Sequence, residues 1–153
     1  MHFEPAILDT DTLSELSRGN AFVQARAREY VAHFGRLSIT AVTVFERLRG
    51  YRLALRDGKP FHRQLDAFTA LVASCVVLPF DQEAASVAAE IWSGVARKDR
   101  QLLGDILIAA VAVSRRLPLV TRNRSDFERL AKSSGVGLRL FDWSSQPRRT
   151  NRF

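Results

Sequence analysis

The sequence predicts an α/β fold, with a central, mostly parallel sheet of four or five strands covered by helices on both faces. Three observations carry that reading. Strand-like and helix-like segments alternate along the chain. The strand candidates are short apolar runs with no apolar–polar alternation, as strands buried on both faces require. The 153 residues, 46% of them hydrophobic, suit one domain with its own core.

The elements follow in order. Ala6-Ile7-Leu8 reads as the first strand, closed by Asp9. Asp11 or Thr12 is placed to cap a helix that begins near Leu13. Residues 21–34 form a second helix, and Leu37-Ser38-Ile39-Thr40 a second strand. Val42, Phe45, Leu48 and Leu53 recur with near-helical spacing, so residues 41–56 are helical. Asp57-Gly58-Lys59-Pro60 is a turn signal, and residues 61–73 make the next helix. Val76-Val77-Leu78-Pro79 is the third strand. An Ala-rich helix runs from Asp81 to Arg97, with Asp81 as its candidate N-cap. Residues 104–116 are helical, 117–121 a fourth strand, Asp126 to Lys132 a short helix and 138–141 a last strand. Residues 1–143 read as a single domain. Residues 144–153, polar and Arg-rich, read as a basic tail that frays.

Composition excludes several classes. One cysteine, Cys75, sits in an apolar run and builds neither a disulfide framework nor a zinc site. His2, His33 and His62 do not pair at metal-ligand spacing. The first residues carry no basic leader, and no apolar run approaches the ~20 residues of a membrane helix. A soluble protein of the reducing cytoplasm is expected.

The net charge of +7 is unevenly placed. Residues 1–114 hold 13 basic and 13 acidic side chains, whereas residues 115–153 hold 10 and 3. A basic end on a neutral domain reads as a footprint for a polyanion or as a solubilising tail.

Ligands of open parallel sheets bind beyond the carboxyl ends of the strands, and four acids fall at such places. Asp9 ends the first strand, Glu46 lies early in the helix after the second, Asp105 starts the helix before the fourth, and Asp126 follows that strand. Thr12, Ser14, Thr121 and Asn123 add neutral oxygens. Unscreened carboxylates at ~4 Å repel by about 4 kcal/mol per pair at an effective dielectric near 20. Such a cluster takes up protons or holds a cation, and oxygen ligands favour Mg²⁺ or Mn²⁺. Each acid also has a plainer reading. Asp9, Asp105 and Asp126 are placed to cap helices, and Glu46 shares a helix face with Arg47, Arg49 and Arg52.

Four segments together resemble the PIN-domain ribonucleases, most closely the VapC-type toxins of bacterial toxin–antitoxin pairs. They are Ile7 to Leu16, Ser38-Ile39-Thr40 with Glu46 and Gly50, Gly104 to Ala110, and Leu119 to Phe127. The resemblance runs in order from Ile7 to about Phe141 and stops before the tail. It implies an α/β/α PIN-like fold and a Mg²⁺-dependent endoribonuclease, a homodimer inhibited by a small cognate antitoxin. Asp9, Glu46, Asp105 and Asp126 would be the catalytic, metal-binding acids. Thr121 and Asn123 would support the last acid, and Asp11 and Ser14 would line the pocket. Asp11 departs from the Asn often found there. Arg115, Arg116, Arg122 and Arg124 are candidates for the groove rim that holds RNA.

Two rivals stand beside this reading. Asp9-Thr10-Asp11-Thr12-Leu13 also matches the first motif of haloacid-dehalogenase-like phosphatases, with Asp9 as nucleophile. A non-catalytic RNA-binding module on the same fold is the other. A dinucleotide binder is excluded, because no Gly-x-Gly-x-x-Gly follows the first strand.

Overall fold

The computed structural model describes residues 4–145. Five strands, β1 (Ile7–Leu8), β2 (Ser38–Thr40), β3 (Val76–Leu78), β4 (Leu119–Val120) and β5 (Leu140–Phe141), form one parallel sheet in the order β3-β2-β1-β4-β5. Seven α-helices connect them: α1 (Thr10–Ser17), α2 (Ala21–Phe34), α3 (Ala41–Arg56), α4 (His62–Ser74), α5 (Gln82–Gly94), α6 (Leu103–Arg115) and α7 (Arg124–Ser134).

The apolar runs are explained by two cores. Ile7 and Leu119 pack with Ala88, Ile91, Ile106, Ala110 and Phe127, beneath α5, α6 and α7. Their neighbours Leu8 and Val120 pack on the other face with Leu13, Ala27, Tyr30 and Phe68, from α1, α2 and α4. Successive strand residues point to opposite faces, so β1 and β4 are apolar throughout, whereas β2 carries Ser38 and Thr40 and the edge strands β3 and β5 are partly exposed. Helix α6 is buried over most of its surface, from Ile106 through Ala112. The small side chains there let α5 and α7 pack against it.

The sequence reading is corrected in three places. Helix α1 starts at Thr10, capped by Asp9, not by Asp11 or Thr12. Helix α5 stops at Gly94, and a short 3₁₀ helix occupies Arg97–Gln101. A Cβ at Gly94 would lie 2.8 Å from Cα of Ser134, so glycine there permits the close approach of α5 and α7. Helix α7 is longer than expected, running from Arg124 to a left-handed cap at Gly135. Other strand and helix ends shift by a residue or two, as end assignments do.

Cys75 is a buried core thiol, and burial pushes its pKa up. No described helix is long and apolar enough to cross a membrane. The expectation for the basic tail falls, from Gln146 onward, outside the described residues.

Phe127 is fully buried where α7 meets the sheet. Phe127→Ala should lower the unfolding free energy by about 3–5 kcal/mol. Urea denaturation checks this, and a loss below about 1 kcal/mol would contradict the packing.

Candidate active site

The register of β1 against β4 creates the site. Leu8 pairs with Val120, so Asp9 and Thr121 emerge side by side at the carboxyl edge of the sheet. Asp9 is buried, 4% exposed. Its Oδ1 accepts from Thr10 N at 2.8 Å and its Oδ2 from the Thr121 hydroxyl at 2.9 Å. Asp9 is thus both helix cap and site residue. The Thr121 oxygen also lies 3.3 Å from each Asp11 oxygen and accepts from Asn123 N at 3.0 Å. Thr12 spans back to β4, donating to Val120 O at 3.0 Å.

Glu46 lies in the second turn of α3, where its Oε1 accepts from the Thr10 hydroxyl at 3.0 Å. Among the described residues Glu46 makes no ion pair, so the ion-pair reading of its helix face fails. Arg47 turns instead to Ser14 Oγ at 2.8 Å and to the Tyr51 hydroxyl. Gly104 makes room for Glu46: a Cβ there would collide with Oε2 and lie 3.1 Å from Cδ.

Asp105 and Asp126 occupy the first turns of α6 and α7 and cap neither helix. Asp126 accepts from Asn123 Nδ2 at 2.8 Å and from Arg129 Nη2 at 3.0 Å.

These acids feel one another. Burial holds the Asp9 carboxyl well above the usual range, and the negative charges of Asp11 and Asp105 add to the effect. Asp105 is pushed up to about 6, first by burial, then by Glu46, Asp126 and Asp11. No Lys or Arg side chain pairs with Asp9, Asp11, Glu46 or Asp105 among the described residues.

Among the described residues no three His, Cys, Asp or Glu groups form a finished metal cage. The acids share one edge of the sheet, where their neighbours' negative charge helps to push up Asp9 and Asp105. The donor set nevertheless fits a hard dication. It is all oxygen, its two most buried members have no counter-ion, and neutral hydroxyls and amides orient it.

The four rim arginines separate into two groups. Arg122 pairs with Glu15 at 2.7 Å and, with Asp11, Ser14, Arg18 and Asn123, lines a cleft of about 460 Å³ beside the acids. Arg124 stands nearby at the start of α7, paired with Glu128. Arg115 and Arg116 lie at the far end of α6, roughly 15 Å along the helix from Asp105. Arg115 pairs there with Asp81, and Arg116 forms a left-handed helix cap. They do not border the site, because the helix that presents Asp105 carries them to the opposite edge of the sheet.

Sequence reading missed Thr10, Gly104, Glu15 and Arg129. Only Arg129 had a usable signal, its three-residue spacing from Asp126 on a helix.

The family model described as PIN domain matches residues 6–133. The chain belongs to the PIN-domain family. The tRNA(fMet)-specific endonuclease VapC of Shigella flexneri is 35% identical over 111 residues, covering 72% of this chain and 77% of that protein. Its counterpart from Salmonella typhimurium is 31% identical over 109 residues, covering 71% and 76%. DNA-bound VapBC from Salmonella typhimurium superposes with a TM-score of 0.73 at 26% identity, covering 92% of this chain and 99% of that one. This PIN-domain chain is therefore a nuclease of VapC type. The phosphatase alternative is overturned, since the Asp9 motif sits within a PIN domain.

A carboxyl whose folded pKa exceeds its unfolded value favours the fold only while it stays protonated. The metal-free protein should therefore lose stability as pH rises from about 4 through the Asp105 value near 6. Mg²⁺ at ~100 times its Kd should raise Tm by roughly 5–10 °C near pH 7.5, and by less near pH 5. Thermal melts with and without Mg²⁺ check this. An equal gain at both pH values would contradict the site.

Proposed function

We propose that this chain is a Mg²⁺-dependent endoribonuclease, with Mn²⁺ an effective substitute, acting in the cytoplasm as the toxin of a two-protein pair. The observation that carries the reading is buried Asp9 beside half-buried Asp105, neither with a cationic partner among the described residues. Carboxylates so placed repel an RNA phosphate unless a dication intervenes.

Asp9, Glu46, Asp105 and Asp126 would hold the metal. When bound, a dication of this kind lowers the pKa of a water and offsets charge on the scissile phosphate. The chain's part is orientation. Thr10 N and the Thr121 hydroxyl fix Asp9, the Thr10 hydroxyl fixes Glu46, and Asn123 fixes Asp126. Prepositioned oxygens avoid reorganisation during the reaction. Arg122 at the cleft mouth would grip a backbone phosphate, with Glu15 keeping its guanidinium at the rim. Cleavage would leave 5′-phosphate and 3′-hydroxyl ends.

The substrate class we propose is tRNA, following the names of the Shigella and Salmonella relatives. The antitoxin follows from the VapBC complex whose toxin fold this chain shares. A homodimer belongs to the same proposal, supported by the exposed side chains of Phe45, Leu53 and Leu103.

Purified protein should degrade tRNA with Mg²⁺ and not with EDTA. Asp9→Asn should keep the α1 cap and cut cleavage by on the order of 100-fold or more. The same change should raise the Tm of metal-free protein near neutral pH, since it removes a desolvated charge. RNA bound but left intact by wild type with Mg²⁺ would turn the reading toward a binding module.

A further inference from the structure

One carboxylate outside the acidic cluster is buried too. Asp99, in the 3₁₀ helix between α5 and α6, is 4% exposed. It takes three hydrogen bonds from one guanidinium: Arg129 Nε lies 3.2 Å from both its oxygens, and Nη2 lies 3.0 Å from Oδ1. The same Nη2 reaches Asp126 Oδ1 at 3.0 Å. Arg129 therefore bridges a carboxylate of the acidic cluster and one the cluster does not include.

We propose that Arg129, anchored by Asp99, is a positioning residue that sets the orientation of Asp126 for metal binding. This rests on the nuclease reading above. Two physical points support it. First, Asp126 is held from both sides, Oδ2 by Asn123 Nδ2 and Oδ1 by Arg129, so its carboxylate plane is fixed before a cation arrives. Each oxygen keeps a second lone pair for a metal. Second, an arginine beside a dication site would repel the ion if it stood alone. Asp99 cancels that charge, so Arg129 orients Asp126 without adding net positive charge. A lysine would not serve equally, because an ammonium lacks the planar fork that meets two carboxylates at once. Helix spacing puts Arg129 one turn after Asp126, and the 3₁₀ helix brings Asp99 beneath both.

The test is Mn²⁺ binding to the full chain, followed by electron paramagnetic resonance, with thermal melting as the fold control. The electroneutral double variant Asp99→Asn/Arg129→Gln removes the anchor without leaving a buried charge. It should fold and bind Mn²⁺ roughly ten-fold or more weakly, as loss of a partner behind a metal ligand does. The Mg²⁺ concentration for half-maximal RNA cleavage should rise in step, with most of the rate recovered at saturating metal. Should the double variant not fold, Arg129→Lys carries the same expectation. A folded variant with wild-type Mn²⁺ affinity would overturn the positioning role and leave the nuclease reading intact. Wild type that binds no Mn²⁺ would overturn both.

Discussion

A carboxylate that directly follows a fully buried strand is the constraint on which the site depends. Ile7 and Leu8 have no exposed surface, and Asp9 N donates to Val120 O at 2.9 Å. The backbone therefore holds Asp9 at the sheet edge, where desolvation opposes its ionisation. Among the described residues, two neutral hydrogen bonds are what it receives in return. Around that fixed point stand the neighbours that sheet order brings together. Thr121 arrives from β4 and Thr10 from the turn into α1, and Thr10 in turn meets Glu46 of α3.

The helices soften this arrangement without resolving it. Asp11, Asp105 and Asp126 all lie in first turns, where the helix dipole favours negative charge. Each such placement contributes about 0.3–1 kcal/mol. Repulsion between close carboxylates is several-fold larger at an effective dielectric near 20. The dipoles therefore make the cluster tolerable in a fold, while protons or a cation must make up the difference. The raised pKa values of Asp9 and Asp105 are the sign of that deficit.

Much of this was legible in the sequence, for a physical reason. Strands buried on both faces must be apolar throughout, so a charge at the end of one, as at Asp9, stands out. Turn and cap chemistry marked most helices to within a residue or two. What stayed hidden depended on contacts between elements distant in the chain. That Gly104 clears space for Glu46 follows from how α6 crosses α3, which no spacing encodes. Asp99 stands between Lys98 and Arg100 in the sequence, and only the path from α5 to α6 buries it against Arg129. Arg115, Arg116, Arg122 and Arg124 lie within ten residues of one another in the sequence. The length of α6 then separated Arg115 and Arg116 from Arg122.

That separation changes what the basic composition means. Within residues 115–145, Arg115, Arg122, Arg124, Arg129 and Arg139 each have an acidic partner. The cleft itself is lined by Arg18 and Arg122 against Asp11 and Glu15, so its charges nearly balance. Among the described residues no dense basic rim borders the cleft. On the nuclease reading proposed above, the net charge of +7 would act on RNA as a field that raises the encounter rate and weakens with salt. Arg18 and Arg122 are the basic side chains that line the cleft, and Arg122 is paired with Glu15. Local charge balance at the cleft also leaves the acidic centre free to attract a cation, which a strongly basic rim would oppose.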